Sequence, residues 1–313
     1  MTHMNPMFLT ACGGSITALL EEEVGNVKYT GCTAKARALT SEPVWAICRE
    51  SLINSTTRRS EWANGANAAT HIWDNRATYF DSAPNTADVY STQFNGSTQY
   101  IDITNVDLSA RLGLDYAVSF WVKGNNFNGT QTLTACNPRW WNIYTTAGGA
   151  NIRLAAEVRD SSSNLISIVG TTVLTNGEWY HVAFSRNGNT TRFWIDGIIQ
   201  GQGTGNLTTI STFTKGVVAC DYTTVFTRFL QGRIDDFCVW DTFLTDADVA
   251  EIYNGGFRLD PKATSKAANC TLLYYMGDSG DTSSTFVDQS GRGNTGVGVA
   301  LTAGSFIADI PNG

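Results

Sequence analysis

The sequence predicts an all-β protein in two parts, a small β-rich module over residues 1–82 and a two-sheet antiparallel sandwich over residues 88–313. Three observations carry that expectation. Apolar and polar residues alternate through residues 99–103 (QYIDI), 117–122 (AVSFWV), 179–185 (WYHVAFS), 191–195 (TRFWI) and 234–240 (IDDFCVW). A period of two marks strands with one buried face. Gly, Asn, Asp and Thr fill the gaps between these runs, the punctuation of repeated short strands. Aromatic residues make up 11% of the chain and charged residues 16%, which supplies a core and is unlike a disordered chain.

Taken in order, residues 15–23 (SITALLEEE) read as a short helix capped by Ser15, although the three glutamates at its end oppose the helix dipole. Residues 24–30, 44–49 and 72–79 read as strands, separated by turn-rich pieces such as Asn64-Gly65. Trp45, Ile47, Trp62, Ile72 and Trp73 are the expected core of this module. Residues 81–87, polar and containing Pro84, form the expected linker. Within the sandwich, residues 245–253 carry the good helix signal. A capping Thr245 and an acidic first turn open it, and Asn254-Gly255-Gly256 stops it.

Charge and cysteine usage exclude several functions. The formal net charge is −7, no basic stripe occurs, and phosphate binding needs one, so nucleic acid is not an expected partner. The seven cysteines (Cys12, Cys32, Cys48, Cys136, Cys220, Cys238, Cys270) are far apart and the three histidines are scattered. That spacing argues against zinc. The cysteines read as small apolar filler in a reducing environment, with a disulfide framework as the alternative. Leu9-Thr10-Ala11-Cys12 looks like a lipoprotein cleavage box, but no Lys or Arg precedes it and the apolar stretch is short, so no signal peptide is expected. No apolar run approaches the roughly 20 residues of a membrane helix, so membrane insertion is not expected.

Longer blocks carry a resemblance. Residues 94–103 (FNGSTQYIDI), 116–123 (YAVSFWVK), 176–197 (NGEWYHVAFSRNGNTTRFWIDG) and 232–256 (GRIDDFCVWDTFLTDADVAEIYNGG) resemble, in the same order, the blocks of laminin G-like domains of the concanavalin A-like class. The resemblance covers about residues 88–256 and implies a jelly-roll sandwich built for binding. Residues 272–296 (LLYYMGDSGDTSSTFVDQSGRGNTG) are similar to the segment that usually opens such a domain, yet here they follow it. That implies a permuted sandwich closed by carboxyl-terminal strands; the alternative is that these strands dock elsewhere. In the first module, VWAI, EWANG and IWDNRATY (within residues 44–79) are similar to small modules of tailed-bacteriophage virion proteins. This resemblance implies a virion accessory protein assembled in the host cytoplasm, as capsid decoration or as part of a tail fibre or spike. Other virion proteins, and host surface glycans, would be its partners, with a homo-oligomer, a trimer on a three-fold axis, expected. A free carbohydrate-binding or adhesion module of a cell is the alternative.

The same fold carries glucanases, whose relatives in this class use Glu-x-Asp-x-x-Glu, and no such string occurs. A retaining glycosidase needs two carboxylates about 5 Å apart. Glu157 and Glu178 are isolated, and the adjacent Asp235 and Asp236 are expected on opposite strand faces. There is no Gly-x-Ser-x-Gly elbow and no phosphate-binding loop, and His181 reads as a core-edge residue of a strand. The expectation is a protein without catalytic activity. Asp288 and Asn294, on the turn Asp288-Gln289-Ser290-Gly291-Arg292-Gly293-Asn294, are candidate calcium ligands because hard cations want clustered oxygens. The same two residues can instead cap the turn through its backbone. Arg139, Trp140 and Trp141 are the candidate glycan-binding residues, since a sugar's apolar face stacks on indole; paired tryptophans in a β-rich protein are more often core than site. Asn-x-Ser/Thr triplets, as at Asn128 and Asn206, carry no weight in so Asn- and Thr-rich a chain.

Overall fold

A computed structural model describes the backbone of five strands in residues 1–88, then residues 89–311 except 104–107, 109–111, 138, 147–150, 208–214, 223–224 and 279. The chain divides into two units, Met1–Pro84 and Asn85–Gly313.

In the first unit, β1 (Ala18–Val24), β2 (Val27–Thr33), β3 (Pro43–Leu52) and β4 (Arg58–Trp62) form an antiparallel meander, and β5 (His71–Ile72) also pairs with β3. Residues 18–23 of the helix expected at 15–23 are therefore corrected to a strand, and 15–17 lie outside the described residues. Leu19 pairs with Cys32 and Val24 with Val27, leaving Gly25-Asn26 between them, a dipeptide suited to a tight hairpin. The glutamates that would oppose a helix dipole meet no such penalty in a strand, where Glu22 and Glu23 stand opposite Tyr29 and Lys28. Trp73 and the linker of residues 81–87 lie outside the described residues, as do the side chains of Trp45, Ile47, Trp62 and Ile72.

The second unit contains β6 (Ser91–Asn95), β7 (Tyr100–Asp102), β8 (Asp115–Gly124), β9 (Thr132–Asn137), β10 (Asn142–Thr145), β11 (Leu154–Arg159) and β12 (Leu165–Val169). There follow β13 (Trp179–Asn187), β14 (Thr190–Ile195), β15 (Ile198–Thr204), β16 (Lys215–Val218), β17 (Asp221–Tyr222), β18 (Phe226–Thr227) and β19 (Gln231–Trp240). Helix α1 (Asp246–Tyr253) and strands β20 (Cys270–Tyr274), β21 (Val297–Val299) and β22 (Phe306–Ile307) complete it. Two antiparallel sheets form a jelly-roll sandwich. The front sheet runs β12-β11-β10-β9-β16-β7-β21; the back sheet runs β15-β14-β13-β8-β19-β6-β22, with β20 also paired to β19.

The expected closure by carboxyl-terminal strands is what the register gives. Leu272 pairs with Val239, Gly298 with Ile101, and Phe306 with Thr92. Both sheets thus take strands from residues 270–307. Between the sheets lies the main core, which includes Phe94, Ile101, Tyr116, Val118, Phe120, Val122, Trp141, Ile143, Phe184, Phe193, Phe237 and Tyr274. Burying each such side chain is worth ~1.5–3 kcal/mol against leaving it in water. At the sandwich edge the glycines of β15 make room for the facing strand. A Cβ on Gly203 would lie 2.2 Å from Ile166 Cγ2, so only hydrogen fits there.

The back sheet departs from the expectation of one buried face per strand. Ala117, Ala183, Trp194, Cys238 and Trp240 form a second apolar layer with Val249 and Ile252 of α1. The helix is held over the sheet by a capping box between Thr245 and Asp248 and a left-handed Asn254 at its end. Trp194 Nε1 donates to Asp246 Oδ1 at 3.0 Å. Cys136, Cys220, Cys238 and Cys270 are buried free thiols. No helix of the described residues is long and apolar enough to cross a membrane.

His181 sits in this layer, 1% exposed, its ring 5.1 Å from Trp121 and 6.0 Å from Tyr253. Its Nδ1 has no hydrogen-bond partner among the described residues, and burial pulls its pKa down to about 3. The folded protein holds it neutral while the unfolded chain, near the ordinary value of ~6.5, takes a proton. Stability tied to His181 is therefore full above that value and is lost as pH falls toward 3. At pH 4.5 the loss is expected to be about 2–3 kcal/mol. Asp281, pushed up to about 6 by burial, works in the opposite sense over the same window, so a variant isolates the histidine. In urea unfolding at pH 7.5 and 4.5, His181→Phe is expected to lose less stability on acidification than the wild type. An unchanged difference would remove His181 from the acid response.

Candidate functional site

One row of residues crosses the outer face of the front sheet. Ser167, Glu157, Asn142, Ala135, Val217, Asp102 and Val297 stand side by side on its seven strands. Their neighbours along the chain, such as Ile143 and Val158, turn into the main core, so alternation sends this row outward. Its middle is apolar and is covered by the β17–β18 hairpin. Tyr100, Tyr222, Phe226 and Phe229 pack there on Ala135 and Val217, and the Tyr100 and Phe226 rings stack 4.3 Å apart. Lys215 Nζ lies 4.8 Å and 5.0 Å from the Tyr222 and Phe226 ring centres, within cation–π range. It also pairs with Asp102 at 2.9 Å.

The other end of the row is polar. Glu157 accepts from Tyr144 Oη at 2.7 Å, from Arg139 Nη1 at 3.2 Å and from Ser167 Oγ at 3.4 Å. Arg139 also lies 3.6 Å from Asp221, which Arg228 approaches at 3.5 Å. Burial first, then the Glu157 carboxylate, pushes the Tyr144 hydroxyl up to about 12, so it stays a donor. Beside Glu157 in the register is Asn142, 0% exposed, with no hydrogen-bond partner for either end of its amide among the described residues. Buried amides are almost always paired. A guanidinium, a phenol and a carboxylate next to half-exposed aromatic rings make a small polar cluster on an apolar shelf, with the buried Asn142 amide beneath it. A few polar groups converging beside aromatic rings are one ingredient of a small-ligand site.

Of the glycan-binding residues expected from sequence, Arg139 belongs to this cluster and the two tryptophans do not. Trp140 is 3% and Trp141 0% exposed, and both lie in the main core. Trp141 Nε1 donates to Thr134 Oγ1 at 3.0 Å, and the Tyr116 hydroxyl donates to the Trp140 carbonyl. Their rings offer no face to a sugar, because they fill the space between the sheets. Asn142, Tyr144, Tyr222 and Phe226 went unnoticed in the sequence. The run 142–145 (NIYT) alternates, but only the strand register shows that Asn142 and Tyr144 flank Glu157.

The turn of Asp288 and Asn294 is saturated by its own chain. Asp288 Oδ1 accepts from the N–H groups of Leu273 (3.0 Å) and Ser290 (2.9 Å). Its Oδ2 accepts from Ser290 Oγ (2.9 Å) and the Asn294 N–H (2.8 Å). Asn294 Nδ2 donates to the Thr271 carbonyl at 2.7 Å. A carboxylate has about four acceptor positions, so this arrangement does not fit a bound calcium. Among the described residues no group of three or more His, Cys, Asp or Glu side chains could hold a metal ion.

Asp235 and Asp236 are corrected too. A bulge interrupts the β19–β8 register between Asp235 and Cys238, and Asp236 has φ of 47°. The extra residue sends Phe237 into the main core and leaves both carboxylates on the outer side. There Asp236 meets Arg258 at 2.5 Å. They are 0% and 4% exposed, out of a substrate's reach.

Residues 95–250 match the family described as the Concanavalin A-like lectin/glucanases superfamily. Among solved structures, the chain is similar to a Bacteroides ovatus protein described as carbohydrate-binding. That match has a TM-score of 0.52 at 12% identity, over 96% of this chain and 84% of that one. It is also similar to the native heptameric SAP-like pentraxin of Limulus polyphemus, with a TM-score of 0.47 at 16% identity over 69% and 96% of the two chains. A third similarity is to the CBM40 of a Ruminococcus gnavus IT-sialidase bound to α2,3 sialyllactose, with a TM-score of 0.41 at 12% identity over 52% and 95%. At 12% identity the likeness to the Bacteroides ovatus protein is one of fold alone. No curated protein matches.

Proposed function

We propose that this concanavalin A-like sandwich binds carbohydrate on the outer face of its front sheet, against Arg139, Tyr144 and Glu157. The observation that carries the reading is the partly exposed cluster in which Glu157 accepts from Arg139 and Tyr144 beside the Tyr222 and Phe226 rings. Sugar hydroxyls both donate and accept, so they match a phenol, a carboxylate and a guanidinium at once. The half-exposed Tyr222 and Phe226 rings offer the apolar surface that a pyranose face covers. Binding without hydrolysis is part of the proposal, since Glu157 is engaged by three donors of the chain.

The setting we propose is the surface of a phage virion, as capsid decoration or as a tail-fibre component. What supports it is the sequence similarity of residues 44–79 to small virion modules. A free adhesion module of a cell would use the same face. Mass spectrometry of purified virions separates the two, because absence of the protein from virions would sink the virion setting. A glycan array tests the binding itself. Purified protein is expected to retain a subset of glycans, and Arg139→Ala to weaken that retention about tenfold or more, as when a charged hydrogen-bond partner is lost. A folded protein that retains no glycan would overturn the proposal.

A further inference from the structure

The back sheet carries a second polar row that the front-face reading does not use. Trp179, Lys123, Arg233 and Gln93 stand side by side on β13, β8, β19 and β6. Val122 and Ile234, their chain neighbours, point into the main core, so this row faces outward. Lys123, Trp179 and Arg233 converge on one carboxylate. Asp309 accepts from Lys123 Nζ at 2.9 Å and from Trp179 Nε1 at 3.2 Å, and Arg233 Nη1 donates to it as well. Gln93 Oε1 takes Arg233 Nε at 3.2 Å and fixes the guanidinium plane. Lys123 Nζ lies 5.8 Å from the Trp179 ring centre.

Two features mark this as a place for an anion and not only a strand clamp. Lys123 and Arg233 are neighbours of like charge, and such a pair directly opposite across strands repels unless an anion lies between. Burial and that repulsion both pull the Lys123 pKa down. The backbone that carries this anion is lightly tied. Asp309 follows the two-residue strand β22, and its backbone adds one bond from Ser91 Oγ (2.6 Å) and one to the Ile307 carbonyl (2.8 Å). Its side chain is 28% exposed, with Lys123 at 21% and Arg233 at 17%. Solvent therefore reaches the carboxylate from outside.

We propose that Trp179, Lys123 and Arg233 form a binding site for the carboxylate of an acidic sugar, and that Asp309 closes this site from within. The two cations and the indole N–H would take the sugar carboxylate as they take Asp309, and the Trp179 ring would meet the sugar's apolar face. A tethered carboxylate competes at an effective concentration in the millimolar range. An acidic sugar therefore binds the wild type only as tightly as the open fraction of the site allows. The site is on the opposite sheet from Arg139 and stands or falls separately from it.

The test is a titration of wild type and Asp309→Ala with sodium glucuronate, reading the Trp179 indole N–H resonance, with sodium chloride and methyl glucoside as controls. Asp309→Ala is expected to bind glucuronate about tenfold or more tightly than the wild type, by removal of the internal competitor. Methyl glucoside should not shift the resonance, and adding Lys123→Ala should abolish the glucuronate response. A folded Asp309→Ala protein whose Trp179 resonance does not respond to glucuronate would overturn the proposal. If that variant fails to fold, the wild type decides: a saturable shift beyond that of matched chloride supports the site, and none overturns it.

Discussion

Replacing Arg258 with methionine is expected to destabilise the sandwich by about 3–5 kcal/mol, the range for breaking a buried ion pair from one side. Arg258 and Asp236 are both almost fully buried and meet at 2.5 Å, with the guanidinium 5.3 Å from the Tyr275 ring centre. Without the cation, Asp235, Asp236 and Asp278 remain together in a layer from which water is largely excluded. Burial, and for Asp236 the neighbouring Asp235, Asp260 and Asp278, hold these carboxyls above the ordinary range. A carboxyl whose folded pKa is raised contributes stability at low pH and loses it as pH rises through the folded value. The deficit of Arg258→Met in urea unfolding should therefore be larger at pH 8 than at pH 5. Adding Asp236→Leu should restore part of the loss, since an apolar pair replaces a buried ion pair at little net cost. Equal stability of wild type and Arg258→Met would contradict this account of the bulge.

Asp288→Ala is expected to be nearly as damaging, at about 3–4 kcal/mol, because hydrogen bonds to a charged acceptor are individually strong and the abandoned donors are partly buried. The carboxylate ties β20, through the Leu273 N–H, to the turn that leads into β21. Losing it loosens the strands that close both sheets. The same geometry predicts that calcium, or its removal by a chelator, leaves Tm unchanged, because a ligand raises Tm only by binding the folded state. A calcium-dependent rise in Tm that Asp288→Ala abolishes would show that the turn opens to take the ion.

Much of this fold was legible because its signals are local. The alternation around Phe120, Tyr180, Phe193 and Phe237 located the central back-sheet strands, and Thr245 with Asn254 bounded the helix. The closure of the sandwich was legible from the displaced segment at residues 272–296. What escaped was set by contacts distant in sequence or by one inserted residue. Residues 15–23 have helix-like spacing, yet pairing of β1 with β2 overrode it. Asp235 and Asp236 alternate on paper, and a single bulge residue puts them on one side. Trp140 and Trp141 offered a stacking surface although such pairs are more often core, and the space between the sheets took both. Arg139 meets Glu157 across 18 positions, and Lys123 meets Asp309 across 186. No periodicity links such pairs; only sheet register does.

The central claim is the location of carbohydrate on the front sheet. It is tested most directly by mapping side-chain chemical-shift changes as the strongest glycan from the array is titrated into the folded protein. The account predicts saturable shifts at the Arg139 guanidinium and in the Tyr144 and Tyr222 rings, with the buried Trp140 and Trp141 indoles much less affected. Saturable shifts confined to other surfaces, with Arg139 and Tyr144 unmoved, would contradict it.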